Sequence, residues 1–232
     1  MKLFFRFSIL LLFFVFITFS FSYADNFKET YLIEVGKINI GKLFWNINFS
    51  ENDYRISIIL KNKSFLSGLY KFNGEYETSG FIVNENLTPL KYKQRWVTKR
   101  KKRNVEISFN NNVVTELILF PEEREYSRIE YIGIKNHFDP LSSFLNLLIG
   151  NIKSQTIDGR RIYSLVVDKN NTEGTIITKK ILVKDYVNIW TDHKRKDLEY
   201  IEIVQQIDEN IISMPLIIKI KFKGFLFKLK KI

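Results

Sequence analysis

The densest charge in this 232-residue chain is Thr98-Lys-Arg-Lys-Lys-Arg-Asn104. Lys99, Arg100, Lys101, Lys102 and Arg103 could meet the phosphates of a nucleic acid or of lipid headgroups, or form a solvated tip between two strands. The two histidines, His137 and His193, each have an acid close by, Asp139 and Asp192. Neither has a second ligand at a metal-binding spacing such as i and i+4, so no metal site is expected. Ser142 or Ser143 can be written with His137 and Asp139 as a nucleophile set. No glycine-flanked elbow carries those serines, and Asp139 ahead of Pro140 is more simply a helix cap. The pairs Glu122/Glu123 and Glu199/Glu202 have no readable catalytic spacing and are expected to be surface acids. The ten glycines are scattered, and no phosphate-cradling loop follows a strand. Cysteine is absent, which removes disulfides, thiolate nucleophiles, thiolate zinc and iron–sulfur clusters. The expectation is a non-catalytic protein without a cofactor.

Large aromatics are the remaining residues with chemical potential. Trp45, Tyr70, Trp96 and Trp190, with Phe72 and Tyr92 nearby in the pattern, serve either as core or as the lining of an apolar concavity. The second role predicts an apolar or amphipathic ligand rather than a reaction. An incompletely closed β-sheet would provide such a concavity.

The elements needed to place these groups are mostly strands, because apolar and polar residues alternate over short runs. Strands are expected within 25–41, with Gly36 and Gly41 marking turns or close backbone approach, and over 42–49, 53–62, 76–83, 91–98, 105–109 and 113–120. Residues 64–72 break the alternation in favour of a short helical turn. One helix is expected over 140–149: Asp139 caps it, Pro140 suits its first position, Leu141, Phe144, Leu145 and Leu148 recur at helical spacing, and Gly150 stops it. The turn at 157–160 is followed by strands near 161–167, 175–183, 188–191 and 198–205. The chain closes with a hairpin about Gly224 whose lysines form one face. Residues 121–138 are the loosest stretch and connect an N-terminal sheet to the helix-led half. The fold class is therefore mainly β: a curved antiparallel sheet or partly open barrel with one covering helix, or alternatively a two-sheet sandwich.

Residues 1–24 read as a signal peptide. Lys2 and Arg6 precede an apolar run, and Ser22-Tyr23-Ala24 offers small residues for cleavage before Asp25, leaving 25–232 as one β-rich domain. Removing those two cations lowers the net charge from +11 to +9. An uncleaved segment would instead anchor the chain in a membrane. Export to a periplasm suits a chain without cysteine and makes nucleic acid an improbable partner. Contact between the basic face and an anionic membrane surface, and an apolar ligand, are the partners left. Asn-x-Ser/Thr tripeptides at Asn48, Asn62, Asn86 and Asn170 are chance matches in an Asn-rich chain.

Several motifs in order resemble those of the domain-of-unknown-function 3108 family of exported Gram-negative proteins. They are Tyr31, Ile33, Glu34 and Val35 with Ile40-Gly41; Ser67-Gly-Leu-Tyr70; and Leu90 with the basic run that follows it. His137-Phe-Asp-Pro-Leu-Ser-Ser-Phe-Leu145, Ile157-Asp-Gly-Arg-Arg-Ile-Tyr163 and Pro215 with Phe222-Lys-Gly-Phe225 complete the set. The resemblance implies a periplasmic, antiparallel β-protein related in shape to half-barrel lipoprotein carriers, with no established activity. It implies structural roles for Asp139, Pro140, Leu141, Asp158, Gly159, Arg160 and Tyr163. Asp192-His-Lys-Arg-Lys196 departs from the polar strand expected before the last hairpin.

Overall fold

A computed structural model describes residues 26–62, 72–191, 197–207 and 213–232. The expected signal peptide, the helical turn at 64–72 apart from Phe72, Tyr70 and the 192–196 segment lie outside the described residues. Thirteen strands form one antiparallel sheet. They are β1 (Asn26–Val35), β2 (Ile38–Phe49), β3 (Asp53–Asn62), β4 (Phe72–Val83), β5 (Asn86–Thr98), β6 (Lys102–Asn110), β7 (Val113–Phe120), β8 (Lys153–Ile157), β9 (Arg161–Glu173), β10 (Ile176–Asn188), β11 (Leu198–Gln206), β12 (Ile217–Phe222) and β13 (Phe225–Lys231). The helix α1 (Pro140–Leu148) separates β7 from β8.

The sheet order is two meanders joined back to back. It runs β7 to β1, then β13 to β8, so β1 and β13 lie at its centre and β7 and β8 at its edges. Among the described residues there is thus no separate N-terminal sheet and no sandwich; residues 121–139 and the helix after them connect the two edges of one sheet. Alternation sets its two faces. Tyr31, Ile33, Leu43, Trp45, Ile47, Ile56, Ile181, Ile203, Ile218 and Leu229 are buried on the inner face. Lysines 219, 221, 228 and 230 lie on the other face of the final hairpin, where Lys219 reaches Glu202 at 3.1 Å and Lys230 reaches Glu34 at 2.8 Å.

The sheet curls until its edges face each other. Ile157 of β8 packs with Val105, Ile107 and Leu119 of β6 and β7. No ladder joins β7 to β8, and the seam is stitched by irregular chain instead. Val114 exchanges backbone hydrogen bonds with Gly133 and Ile134, while Phe138 does so with Gln155 and Ile157 across the gap. The result is a partly open barrel.

Helix α1 lies inside it. Leu145 and Leu147 are fully buried and Leu148 nearly so, within the same cluster as Trp45, Tyr54, Tyr163 and Ile218. Asn146 donates to Leu87 O and accepts from Leu87 N, fastening the helix to the start of β5. Among the described residues no helix is long and apolar enough to cross a membrane.

Candidate functional site

The antiparallel register gives the barrel two distinguishable ends. The turns β2–β3, β4–β5, β6–β7 and β9–β10 share the end toward which α1 runs. The turns β1–β2, β5–β6, β8–β9 and β12–β13 share the opposite end, the mouth. Halfway between them, the N-terminus of α1 holds a buried polar network. Asp139 accepts from the backbone N–H groups of Leu141 and Ser142 at 2.9 and 3.1 Å, from the Thr78 hydroxyl at 2.9 Å and from the Ser142 hydroxyl at 2.5 Å. The Tyr54 hydroxyl lies 2.6 Å from that of Ser142. Burial raises the Asp139 carboxyl above its ordinary value, against the opposing pull of the Ser142, Thr78 and Leu141 donors. Burial, then the Asp139 charge, pushes the Tyr54 phenol up.

This network is a cap, not a nucleophile set. His137 is half-buried and its Nδ1 lies 2.8 Å from Lys135 O, while Ser143 accepts from Thr156 at 2.8 Å. Among the described residues no three acids or histidines converge as a metal set. At the other end of the helix, Lys179 points into the barrel from β10 and donates to Leu147 O and Leu148 O at 3.0 and 3.3 Å. It satisfies terminal carbonyls and complements the helix dipole, although burial lowers its pKa.

The second motif builds one rim of the mouth. Asp158 accepts from Arg160 N and Arg161 N at 2.9 and 2.8 Å, folding a tight turn, and burial raises its carboxyl despite the nearby Arg161 guanidinium. Gly159 adopts φ +87°, and a Cβ there would sit 2.5 Å from Val105 Cγ1, so glycine lets the turn press against the opposite edge of the sheet. Arg160 binds Glu123 at 2.6 Å and holds the 121–139 connection in place. Tyr163 is buried and stacks on Tyr186 with ring centroids 6.3 Å apart. Arg161 bridges from Asp158 to Asp197 at 2.6 Å.

The candidate ligand-lining aromatics separate. Trp190 donates to Gly159 O at 3.1 Å and packs on Tyr131, closing the β8–β9 turn. Trp96 lies stacked on Phe72 toward the mouth, 5.6 Å between centroids. Trp45 sits deeper, between Tyr31 and Phe144, and its Nε1 is buried without a hydrogen-bond partner. Phe144 itself is only partly buried, as are Leu60, Tyr186, Leu198, Ile220 and Phe227, all packed against the same inner core. Apolar side chains of the inner face are thus incompletely buried between the mouth and the helix. Sequence reasoning missed this second group, whose alternation marks the inner face without showing how far burial extends. A groove of about 200 Å3 on the outer face of β4–β6 is lined by Glu75, Glu77, Lys93, Arg95 and Glu106 with Gln94, Asn104 and Val105, and its five charged side chains suit an apolar molecule poorly. The basic tip of residues 99–103 is exposed at the mouth end.

The chain belongs to the family described as "Protein of unknown function (DUF3108)", which matches residues 30–223. The family resemblance drawn from the motifs is thereby established. Comparison with curated proteins gives no match. Among solved structures, the chain is similar to the crystal structure of a β-barrel-like protein of domain of unknown function DUF1849 from Brucella abortus. The two share 10% identity and a TM-score of 0.50, with 91% of this chain and 97% of the other covered. That likeness concerns the fold alone, a barrel-like β-architecture.

Proposed function

We propose that this protein is a non-catalytic binding or carrier module of the periplasm, exported by a cleaved signal peptide, which takes an apolar or amphipathic envelope molecule into the barrel through its mouth. The supporting observation is the partly exposed inner surface of Leu60, Phe144, Ile220 and Phe227 beside Trp45, whose buried indole N–H lacks an acceptor. A ligand with an apolar body and one acceptor oxygen would complement both features. The basic tip at 99–103 supports delivery at an anionic surface.

Native mass spectrometry of the protein purified with its cell-processed terminus, followed by solvent extraction against a mock purification, tests the reading. A stoichiometric apolar adduct is expected, and Trp45→Phe should weaken its binding by about fivefold by removing one hydrogen-bond donor. A ligand-free mass together with no binding of the apolar probe N-phenylnaphthylamine would overturn it. The second reading, an assembly partner acting through protein contacts, rests on Phe81, Val83 and Leu90, which are exposed around the β4–β5 turn.

A further inference from the structure

Two hairpin tips stand side by side at the mouth. Val35 pairs with Ile38 across the β1–β2 turn and with Phe227 of β13, so that turn and the β12–β13 turn are neighbours. The β12–β13 hairpin continues past this level, to Phe222 opposite Phe225. Both tips present apolar side chains to solvent: Ile38 is 63% exposed, Phe225 60% and Leu226 41%. A phenylalanine and a leucine directly after a Lys-Gly turn are not what turn formation requires.

Cations surround them. Lys37 and Lys223 are exposed in the two turns. Lys221 lies opposite Leu226 and bonds Gly224 O at 2.7 Å. Lys223 comes within 3.8 Å of Asp197, but that carboxylate is held more closely by Arg161 at 2.6 Å. The basic 99–103 tip shares this end. The opposite end also exposes apolar side chains, Phe81 and Val83 beside the β4–β5 turn, but it differs in charge. Its turns contain Glu51 and Asn52, Asn84 and Glu85, Asn111 and Asn112, and Gly174, with no lysine or arginine among them. The turns therefore polarise the barrel in charge along its axis, and the mouth end alone pairs exposed apolar tips with cations.

We propose that the mouth end docks on an anionic phospholipid surface, with Ile38, Phe225 and Leu226 entering the headgroup boundary and Lys37, Lys221 and Lys223 meeting lipid phosphates. Apolar side chains at a protruding tip ringed by cations match such a surface in both of its properties, an apolar layer beneath a negative one. The docked barrel would open toward the lipid. Docking needs only the tips, so it stands or falls separately from ligand binding.

The absence of cysteine allows site-specific labelling. Phe225→Cys at the mouth and Glu51→Cys at the opposite end, each carrying an environment-sensitive nitrobenzoxadiazole dye, would be mixed with vesicles of equal parts phosphatidylglycerol and phosphatidylcholine. The dye at 225 should brighten and shift to the blue at about 20 mM salt, with the response much reduced at about 500 mM, while the dye at 51 stays unchanged. In vesicle co-sedimentation, Lys37→Glu/Lys223→Glu should bind at least about tenfold more weakly, and Phe225→Ser/Leu226→Ser about tenfold more weakly, with unfolding midpoints retained. An equal response at 51, undiminished sedimentation of both double variants, or no association with anionic vesicles would overturn the proposal. The last result would turn attention to an acidic protein as the occupant. Retained ligand adducts in vesicle-blind variants would show that the failure belongs to docking and not to the binding reading.

Discussion

Two stretches of the barrel's inner face are made by the same strands, yet they are buried to different degrees. Around α1, Leu145, Leu147, Tyr54 and Ile56 are almost wholly removed from water. Toward the mouth, Leu60, Ile220 and Phe227 keep part of their surface exposed although their chemistry is no less apolar. The difference lies in what fills the curve of the sheet. A thirteen-stranded sheet curls around more space than its own side chains occupy, and among the described residues the nine-residue helix α1 lies within that curve at one end.

The sharpest way to break this comparison is to truncate one leucine at each end. Leu145→Ala should destabilise the protein by about 3 kcal/mol in urea unfolding, through lost transfer free energy and a cavity that packed neighbours cannot close. Leu60→Ala should cost about 1 kcal/mol, because its surroundings are already partly hydrated. Equal losses would mean that the mouth is as tightly packed as the helix end.

Asp139 sharpens the same contrast from the polar side. Asp139→Ala should cost about 2 kcal/mol, since it removes the cap and leaves buried Thr78 and Ser142 without their acceptor. Asp139→Asn keeps an acceptor for the backbone donors and should stay within about 1 kcal/mol of the parent. The pH dependence has a defined sign. A carboxyl whose value is higher in the folded than in the unfolded state contributes its full stability below about pH 4. That contribution is lost as pH rises through the raised folded value. Relative to the parent, Asp139→Asn should therefore look most favourable near neutral pH and least favourable in acid. Urea midpoints measured across that range would show the opposite slope if the carboxylate were stabilised by its neighbours.

Gly159 tests whether the mouth is rigid where the β8–β9 turn closes it. Gly159→Ala should cost about 2 kcal/mol, because it combines a left-handed backbone with a side chain driven into Val105. A small loss would show that the turn can swing away from β6 and β7.

How much of this was visible in the chain depends on which face each residue occupies. Strands β3 and β7 fall where alternation places them, at 53–62 and 113–120, and the helix ends one residue short of its expected limit. Strand β8 escaped notice because its inner-facing positions carry Ser154 and Thr156, hydroxyl residues that serve the helix side of the barrel instead of an apolar face. Strand β9 runs on to Glu173 past the expected limit at Val167, since its polar extension is exposed and shows no alternation. Residues 188–191 are the end of β10 and its following loop, not a strand of their own. The central β1–β13 pairing joins segments nearly the whole chain apart, and no local pattern specifies it. For the site, Asp139 was legible as a cap, but its complete burial and its link to Thr78 and Tyr54 depend on strands brought in from elsewhere.

The smallest expected effect concerns the seam. Arg160 and Glu123 are both mostly buried, and their 2.6 Å contact joins the β8–β9 turn to the connection that crosses from β7. Glu123→Gln should cost about 1 kcal/mol, and a double-mutant cycle with Arg160→Gln should assign most of that to the pair itself. Global stability is the less informative readout here. The amides of Val114, Gly133, Asn136, Phe138 and Ile157 make the bonds of the irregular chain that crosses between β7 and β8, so those amides can exchange through a local opening well below the free energy of unfolding. Loss of the ion pair should accelerate exchange at those amides more than at Ile47 or Ile203 in the middle of the sheet. Uniform acceleration would show instead that the seam opens only when the whole barrel unfolds.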